Sequence, residues 1–231
     1  MLTGGEDLLL DVGGFRSAPL VAAAPVVHPG WRGKRALDIV ASVLLILVFL
    51  PVLLLVALAV KATSPGPVLF RQRRVGRGGR DFLILKFRTM DSDAERRLRT
   101  DEELHRRFLA GDHKLPSRTD PRVTSIGGLL RRSSLDELPQ LFNVLAGDMS
   151  LVGPRPVVHT ELVRDYDGFE SSYLSLRPGL TGLWQVSGRS TVAFPERAHL
   201  DERYMASCGP WTDAKILLRT PLVVVTGLGA D

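Results

Sequence analysis

Two adjacent carboxylates, Asp136 and Glu137, are the first candidates for chemistry in this chain of 231 residues. They lie within the segment RRSSLDELPQLFNVLAGDMSLVGPRP. The spacing Ser134-x-x-Glu137 has the form of a capping box that begins a helix at Ser134, whereas Pro139 favours a slightly later start. Either start predicts both carboxylates in a first helical turn, where free N–H groups and the helix dipole favour negative charge. A carboxylate ionised beside Arg131 suits a nucleophile or a metal ligand, although acidic residues in a first turn are also common without any catalytic role.

Several arginines in loops are candidates for binding phosphate. Arg155 lies between Pro154 and Pro156, so its backbone is stiff and its guanidinium has a narrow range of positions. A planar fork of donors on such a rigid mount suits a phosphate group. Arg177 and Arg189 flank the glycine-punctuated run RPGLTGLWQVSGR. For each arginine, a surface ion pair is the alternative interpretation.

A long apolar segment determines how these residues meet a membrane. Residues 39–60 (IVASVLLILVFLPVLLLVALAV) carry no charge, and a helix needs about 20 apolar residues to cross a bilayer. Basic residues lie on both sides of the segment: Arg32, Lys34 and Arg35 before it, then Lys61, Arg71, Arg73 and Arg74 after it. Because basic flanks favour the cytoplasmic side, we predict a re-entrant helix over residues 31–62 that bends at Pro51 and leaves by the face it entered. A plain span with a tolerated proline is the alternative.

The remaining chain predicts a disordered or loosely docked tail at residues 1–30 and an α/β domain at residues 63–231. Two β-rich runs, PVLFRQRRV and DFLILKFRTM, predict a hairpin whose connecting glycines supply positive φ. The charged stretch from Asp91 to Ala110 predicts a solvated surface helix. The apolar stretch from Ile216 to Leu228 contains Arg219 and Pro221, which favour an interfacial or packing element over a second span.

Composition narrows the choice of partner. The net charge of +5 and the pI of about 9.8 indicate an anionic partner such as phosphate, nucleic acid or an anionic membrane surface, with solubility alone as the alternative interpretation. The single cysteine, Cys208, excludes an internal disulfide, and the five scattered histidines lack zinc-site spacing. Aromatic residues are few at 6%, and no nucleic-acid fold signature is present, so no nucleic acid is expected as a partner. Taken together, the acidic pair, the loop arginines and the membrane segment predict phosphoryl chemistry on a lipid-borne substrate, with Mg²⁺ bridging carboxylate and diphosphate.

The order of the motifs resembles one protein family. KRALD, the apolar helix with a central proline, SPGPVLFRQRRVG, LKFRTM, SSLDELPQLFNVLAGDMSLVGPRP and RPGLTGLWQVSGR are similar to the bacterial sugar transferases, from about Lys34 to the C-terminus. These are monotopic polyprenyl-phosphate phosphoglycosyl transferases. The resemblance implies transfer of a sugar 1-phosphate from a UDP-sugar to polyprenyl (undecaprenyl) phosphate with release of UMP. That reaction begins exopolysaccharide or other glycoconjugate synthesis at the cytoplasmic face of the bacterial plasma membrane, among membrane lipids.

The resemblance also assigns residues to roles. It implies that Asp136 attacks the β-phosphate to form a phosphosugar-aspartate intermediate, and that Glu137 assists with Mg²⁺ or with a proton. The basic residues that match phosphate-binding or active-site positions of the family are Lys86, Arg131, Arg155 and Arg189. The helix break is often Ser-Pro in this family but Leu50-Pro51 here, which leaves the bend angle open. Larger members carry extra spanning helices before this core, so the chain is expected to be a core-only version.

Two other functions fit parts of the sequence. A membrane-tethered basic module would recruit anionic glycolipids without catalysis, and an idle subunit of a polysaccharide assembly complex would lack activity despite its Asp136–Glu137 pair. The sequence does not determine the sugar, the pathway or the lipid length, and it leaves open whether the chain forms a homo-oligomer.

Overall fold

The computed structural model describes residues 30–111 and 115–226, so nearly all of the predicted tail lies outside the described residues. The helices are α1 (Lys34–Thr63), α2 (Ala94–Thr100), α3 (Glu102–Ala110), α4 (Gly127–Ser133), α5 (Gln140–Ala146), α6 (His159–Asp165), α7 (Glu170–Ser175), α8 (Leu183–Val186), α9 (Phe194–Ala206) and α10 (Pro210–Thr226). The strands are β1 (Leu69–Val75), β2 (Asp81–Phe87), β3 (Ser150–Val152) and β4 (Gly179–Thr181). Short 3₁₀ turns occupy Arg77–Gly79, Leu135–Glu137 and Arg189–Thr191. This mixture confirms the α/β class.

The apolar segment forms α1, a single helix of 30 residues that continues through Pro51. It ends at Ser64, which is extended because the next residue is Pro65, and whose N–H still donates to the carbonyl of Val60. Within the described residues, α1 is the one helix long and apolar enough to cross a membrane. Many of its side chains face outward, and Val48 is 70% exposed. The predicted long apolar helix is therefore present.

Both halves of α1 contact the domain that follows. Near its start, Arg35 donates to the carbonyls of Val144 and Leu145 at the end of α5, at 2.6 and 2.8 Å. Beyond Pro51, Leu53 and Val60 are buried in a cluster that includes Phe87 and Leu130. The helix is therefore attached to the domain along much of its length, with an apolar face left exposed between these contacts. These contacts bear on how the helix meets a bilayer.

The predicted hairpin is confirmed. Strands β1 and β2 pair antiparallel with Leu69 opposite Phe87 and Val75 opposite Asp81. In the connecting turn, Gly78 and Gly79 have φ values of 72° and 76°, which a side chain would make costly. The hairpin thus carries the end of β2, and with it the LKFRTM motif, back toward α1.

The charged surface helix that the sequence predicts is divided into two helices, α2 and α3, in the structure. The charged stretch from Asp91 breaks at Asp101, which is extended and caps α3 by accepting the N–H of Leu104 at 2.9 Å. An aspartate side chain competes for backbone N–H groups and so favours a new helix start over continuation. Leu98 and Leu104 form a small separate cluster with Leu115, and most other side chains of the pair are solvated, as predicted.

The larger core lies between the hairpin and the C-terminal helices. β3 and β4 pair in parallel, with Ser150 opposite Gly179. Buried residues around this pair come from α5, α6, α7, α9 and α10, and include Val144, Leu162, Tyr173, Tyr204 and Ile216. α10 contains the predicted C-terminal element, and its exposed face is apolar, with Trp211 80% exposed. Its interfacial role stays a prediction.

Candidate active site

The carboxylate pair lies in a 3₁₀ turn between two short helices. α4 ends as Ser134 adopts the left-handed conformation, with φ of 56°, which is uncommon for a residue other than glycine. The predicted capping box is therefore wrong, since the side chain of Ser134 makes no capping hydrogen bond. Its backbone is already committed to closing α4. The pair still lies in a first helical turn, and α5 begins only after Pro139, as that proline suggested.

Lys86 meets the pair from the end of β2. Its ammonium donates to Oε1 of Glu137 at 2.7 Å, although the two residues are 51 positions apart in sequence. Their side chains are 30% and 39% exposed, so solvent reaches this ion pair. Asp136, by contrast, is buried. The hairpin thus delivers a cation to the more open of the two carboxylates.

The surroundings separate the two carboxyls electrostatically. Burial, followed by the negative charge of Glu137, raises the pKa of Asp136 above its ordinary value, with Lys86 and Arg131 acting in the opposite direction. The loss of hydration inside the site also disfavours the charged form of Glu137. The Lys86 ammonium outweighs that effect, with help from Arg189 and Arg155, and the pKa of Glu137 falls below its ordinary value. Glu137 is therefore the anion at neutral pH, while Asp136 gains its charge less readily.

Arg131 approaches the pair from the last turn of α4. Its Nε donates to Oγ1 of Thr89 at 2.9 Å, and its Nη1 donates to Oγ of Ser117 at 3.3 Å. These two hydroxyls hold the guanidinium in place. From this position near the pair, its charge lowers the pKa of Asp136.

Arg155 and Arg189 come to the same place from more distant loops. Both cations lower the pKa of Glu137. The Arg155 guanidinium donates to Oε1 of Glu161 at 3.3 Å and lies 5.7 Å from the ring centroid of Trp184. Arg189 has a left-handed backbone with φ of 53°. The structure therefore brings together six of the seven charged residues that the sequence nominated: Asp136, Glu137, Lys86, Arg131, Arg155 and Arg189. Their individual roles stay predictions.

Arg177 has a different position. Its Nε donates to the carbonyl of Gly147, just past the end of α5, at 2.7 Å. That carbonyl belongs to a helix terminus, where a cation and a donor are both favourable. Two arginines flank the glycine-punctuated run. We therefore assign a structural role to Arg177, whereas Arg189 remains a candidate for the site of the carboxylate pair.

Sequence reasoning missed the buried polar residues behind the site. Asp201 is fully buried, and its Oδ2 accepts the backbone N–H of Arg155 at 2.8 Å and the hydroxyl of Tyr166 at 2.6 Å. Burial raises its pKa to about 7, with the two hydrogen bonds opposing the shift. A signal was present, because Asp201 lies on the stripe of α9 that also carries the buried Ala198 and Tyr204. A carboxylate at a core position of an amphipathic helix is a candidate for a specific role.

Chemically, this arrangement can hold an anion with several negative charges. Four cations lie near the two carboxylates, and although one of them, Arg155, also pairs with Glu161, positive charge remains in excess. A phosphate or diphosphate would restore the balance, and arginine forks match its oxygens well. A carboxylate beside a bound phosphate can attack phosphorus or hold a cation that the phosphate shares.

Comparison with known proteins agrees with this chemistry. The family described as "Bacterial sugar transferase" matches residues 30–227. The exopolysaccharide production protein ExoY of Rhizobium meliloti is 42% identical over 229 residues, 94% of this chain and 100% of the relative. The UDP-glucose:undecaprenyl-phosphate glucose-1-phosphate transferase of Caulobacter vibrioides is 46% identical over 196 residues, 81% of this chain and 67% of the relative.

Other relatives are much longer than the matched region. The undecaprenyl-phosphate galactose phosphotransferase of Salmonella typhimurium is 43% identical over 201 residues, 85% of this chain but 41% of the relative. The chain therefore spans about two fifths of the length of that curated relative. The family match nevertheless covers most of the chain, including α1, the hairpin and the carboxylate pair. On this evidence the chain belongs to the bacterial sugar transferase family.

Proposed function

We propose that this protein transfers a sugar 1-phosphate from a UDP-sugar to undecaprenyl phosphate, releasing UMP and beginning the synthesis of an exopolysaccharide or another glycoconjugate. The observation that carries the proposal is the Asp136–Glu137 pair, with Lys86 bound to Glu137 and three arginines close by. The names of the Caulobacter vibrioides and Salmonella typhimurium relatives state the same type of transfer. The sugar itself depends on pocket contacts that these residues do not specify.

In the first step, a carboxylate oxygen of Asp136 attacks the β-phosphorus of the UDP-sugar. The new O–P bond forms as the bond between that phosphorus and the bridging oxygen breaks, and UMP leaves with the bridging oxygen and its electron pair. The product is a phosphosugar-aspartate, an acyl phosphate. Lys86 and Arg131 support this role because both favour the anionic form of Asp136 that attack requires.

In the second step, an oxygen of undecaprenyl phosphate attacks the same phosphorus. The bond to Asp136 breaks, the carboxylate is regenerated, and the lipid leaves as an undecaprenyl diphosphate sugar. Two displacements at one phosphorus let a single set of cations stabilise both transition states. Arg155 and Arg189 are proposed to bind the non-bridging phosphate oxygens, where each charge-assisted hydrogen bond contributes most as charge develops.

Mg²⁺ is proposed as the cofactor. Asp136 and Glu137 would hold it, because adjacent carboxylate oxygens suit a hard cation. Across residues 30–111 and 115–226, no third acidic, histidine or cysteine side chain completes a metal cluster with them. That donor set fits Mg²⁺, which usually takes one or two carboxylates and fills its other positions with substrate phosphates and water. When bound, the ion would neutralise diphosphate charge.

We also propose that α1 is re-entrant and that the domain lies on the cytoplasmic face of the plasma membrane. A helix of 30 residues is about 45 Å long, enough to cross a bilayer if it is straight and upright. A domain on one face would then contact only one end of the helix. Here Arg35 and Leu53, on either side of Pro51, both contact the domain, which supports entry and exit by the same face.

The reaction is tested by incubating the purified protein with a panel of UDP-sugars, Mg²⁺ and undecaprenyl phosphate, and by measuring UMP. A membrane-tethered binding module or an idle subunit would release none. A second experiment omits the lipid and uses a UDP-sugar labelled in its β-phosphate. We expect label on Asp136 in the wild type and no label or turnover in Asp136→Asn.

Two further variants complete the test. Glu137→Gln should turn over slowly, with any label still on Asp136, whereas Glu196→Gln, a change at an exposed acid of α9, should behave as the wild type. Label on Glu137 would reverse the roles of the two carboxyls. If no adduct forms and both substrates must bind together, direct attack by the lipid phosphate replaces the two-step mechanism.

A further inference from the structure

In the loop Pro154-Arg155-Pro156, every backbone N–H and carbonyl makes a hydrogen bond. Pro154 and Pro156 have no N–H, so the only backbone donor of this tripeptide belongs to Arg155. Three carbonyls remain. That of Pro154 accepts the N–H of Gly179 at 2.8 Å, and that of Pro156 accepts Nη1 of Arg74 at 3.2 Å. The Arg155 peptide itself is held by residues of the C-terminal half of the chain.

Two buried side chains form hydrogen bonds with the backbone of Arg155, one with its N–H and the other with its carbonyl. Oδ2 of Asp201 accepts its N–H at 2.8 Å, and the hydroxyl of Tyr173 donates to its carbonyl at 3.0 Å. The hydroxyl of Tyr166 donates to the same Oδ2 at 2.6 Å, and its ring lies edge-on to Tyr173 with centroids 5.0 Å apart. Side chains from α9, α7 and the end of α6 therefore converge on the backbone of one residue, Arg155.

Asp201 is costly to the fold, which argues that it does more than fill space. It is 0% exposed, and among the described residues its Oδ1 has no hydrogen-bond partner. Burying a carboxyl with one oxygen unpaired is unfavourable, and an apolar residue would fill a core position of α9 more cheaply. The neutral partners Tyr166 and the Arg155 N–H offset part of that cost.

We propose that Asp201 is a positioning residue of the phosphate site: by fixing the Arg155 peptide, it presents the Arg155 guanidinium to the diphosphate. The inference rests on the function proposed above, in which Arg155 binds phosphate. Asp201 acts through Arg155 and contacts neither substrate nor the reacting atoms. Small displacements of a group that binds the reacting phosphate reduce rates strongly. The hydrogen bonds that hold the Arg155 backbone in place should therefore affect turnover.

The test is a double-mutant cycle between Asp201 and Arg155, with turnover measured as UMP release. Asp201→Asn keeps the size and one acceptor oxygen but weakens the charge-assisted hydrogen bond, and we expect turnover to fall about 3- to 10-fold. In an Arg155→Ala background the same change should cause no further loss, because the side chain that Asp201 positions is gone. Tyr173→Phe, which removes the donor to the Arg155 carbonyl, should show the same dependence on Arg155.

Asp38→Asn is the matched control. Asp38 is likewise buried and accepts one hydroxyl and one backbone N–H, those of Ser150 and Leu151, but it does not contact Arg155. Any activity loss that it causes should be the same with and without Arg155. Thermal melting in detergent shows how much each variant destabilises the fold.

The outcomes separate the inference from the proposed function. If Asp201→Asn lowers turnover by the same factor in both backgrounds, as Asp38→Asn does, Asp201 is structural and the inference is wrong. It is also wrong if Asp201→Asn leaves turnover unchanged while Arg155→Ala impairs it. If Arg155→Ala itself has wild-type turnover, the phosphate-binding role in the proposed function fails instead.

Discussion

The ion pair between Lys86 and Glu137 permits a quantitative prediction. Replacing Lys86 with Met keeps most of the side-chain length and removes the charge and the 2.7 Å hydrogen bond to Oε1 of Glu137. A hydrogen bond to a charged group contributes about 1.5–3 kcal/mol. Because the two side chains are 30% and 39% exposed, solvent screens the pair, and we reduce that contribution to about 1–2 kcal/mol. If the whole effect is felt in the transition state, turnover falls about 5- to 30-fold.

The loss of turnover in Lys86→Met should have a second cause, which is the effect of Lys86 on the ionisation of the carboxylates. Lys86 lowers the pKa of both Glu137 and Asp136, so its removal makes each carboxyl harder to ionise. The anion of Asp136 that attack requires becomes scarcer at a given pH. We therefore expect Lys86→Met to need a higher pH for half-maximal UMP release, whereas Lys86→Arg, which keeps the charge on a different geometry, should recover part of the rate.

Steady-state UMP release as a function of pH measures both effects. Lys215→Met is the control, because Lys215 is exposed on α10 and makes no described ion pair. These measurements are made at saturating Mg²⁺ over a range of pH, and the reasoning is refuted if Lys86→Met has wild-type turnover and an unchanged pH dependence. An equal loss in Lys215→Met would show that overall charge, and not the pairing with Glu137, is responsible.

Four further predictions follow from other parts of the molecule. Arg189→Ala should lower UMP release about 10- to 100-fold with an unchanged melting temperature, and wild-type turnover would make Arg189 structural. Chelation of divalent cations should abolish turnover, and Mg²⁺ should restore it; activity in excess chelator would exclude the proposed cofactor. Pro51→Leu restores a backbone hydrogen bond and should shift α1 toward a true span, seen as N-terminal labelling from outside in oriented vesicles; external labelling of the wild type would overturn the re-entrant helix. Because burial raises the folded-state pKa of Asp201 to about 7, above that of the unfolded chain, the folded protein binds this proton more tightly, and stability falls as pH rises from about 4 to about 7. Asp201→Asn removes this titration, so its melting temperature relative to wild type should rise between about pH 4 and about pH 7; a constant difference would contradict the shift.

The sequence by itself determined the elements whose signals are local. An uncharged stretch between Ile39 and Val60 has few ways to exist except as a long apolar helix, and α1 has that form. The hairpin follows from two β-rich runs around glycines that accept positive φ. The charged candidates of the site were also visible, because paired carboxylates and arginines beside prolines carry chemical meaning in their own types. Each of these inferences needs only neighbours along the chain.

Tertiary structure decided which of these residues meet and how they are held. The bond between Lys86 and Glu137 joins residues 51 positions apart, and its existence depends on where β2 ends relative to a 3₁₀ turn. The conformation of Ser134 was wrongly predicted because closing α4 took priority over capping the next turn. Arg177 resembled Arg189 in sequence, yet the packing of α5 took it to a helix terminus. The role that we propose for Asp201 depends on its burial beside the backbone of Arg155. Burial and long-range contact set the cost of a charge, and neither is encoded in residue type or local spacing.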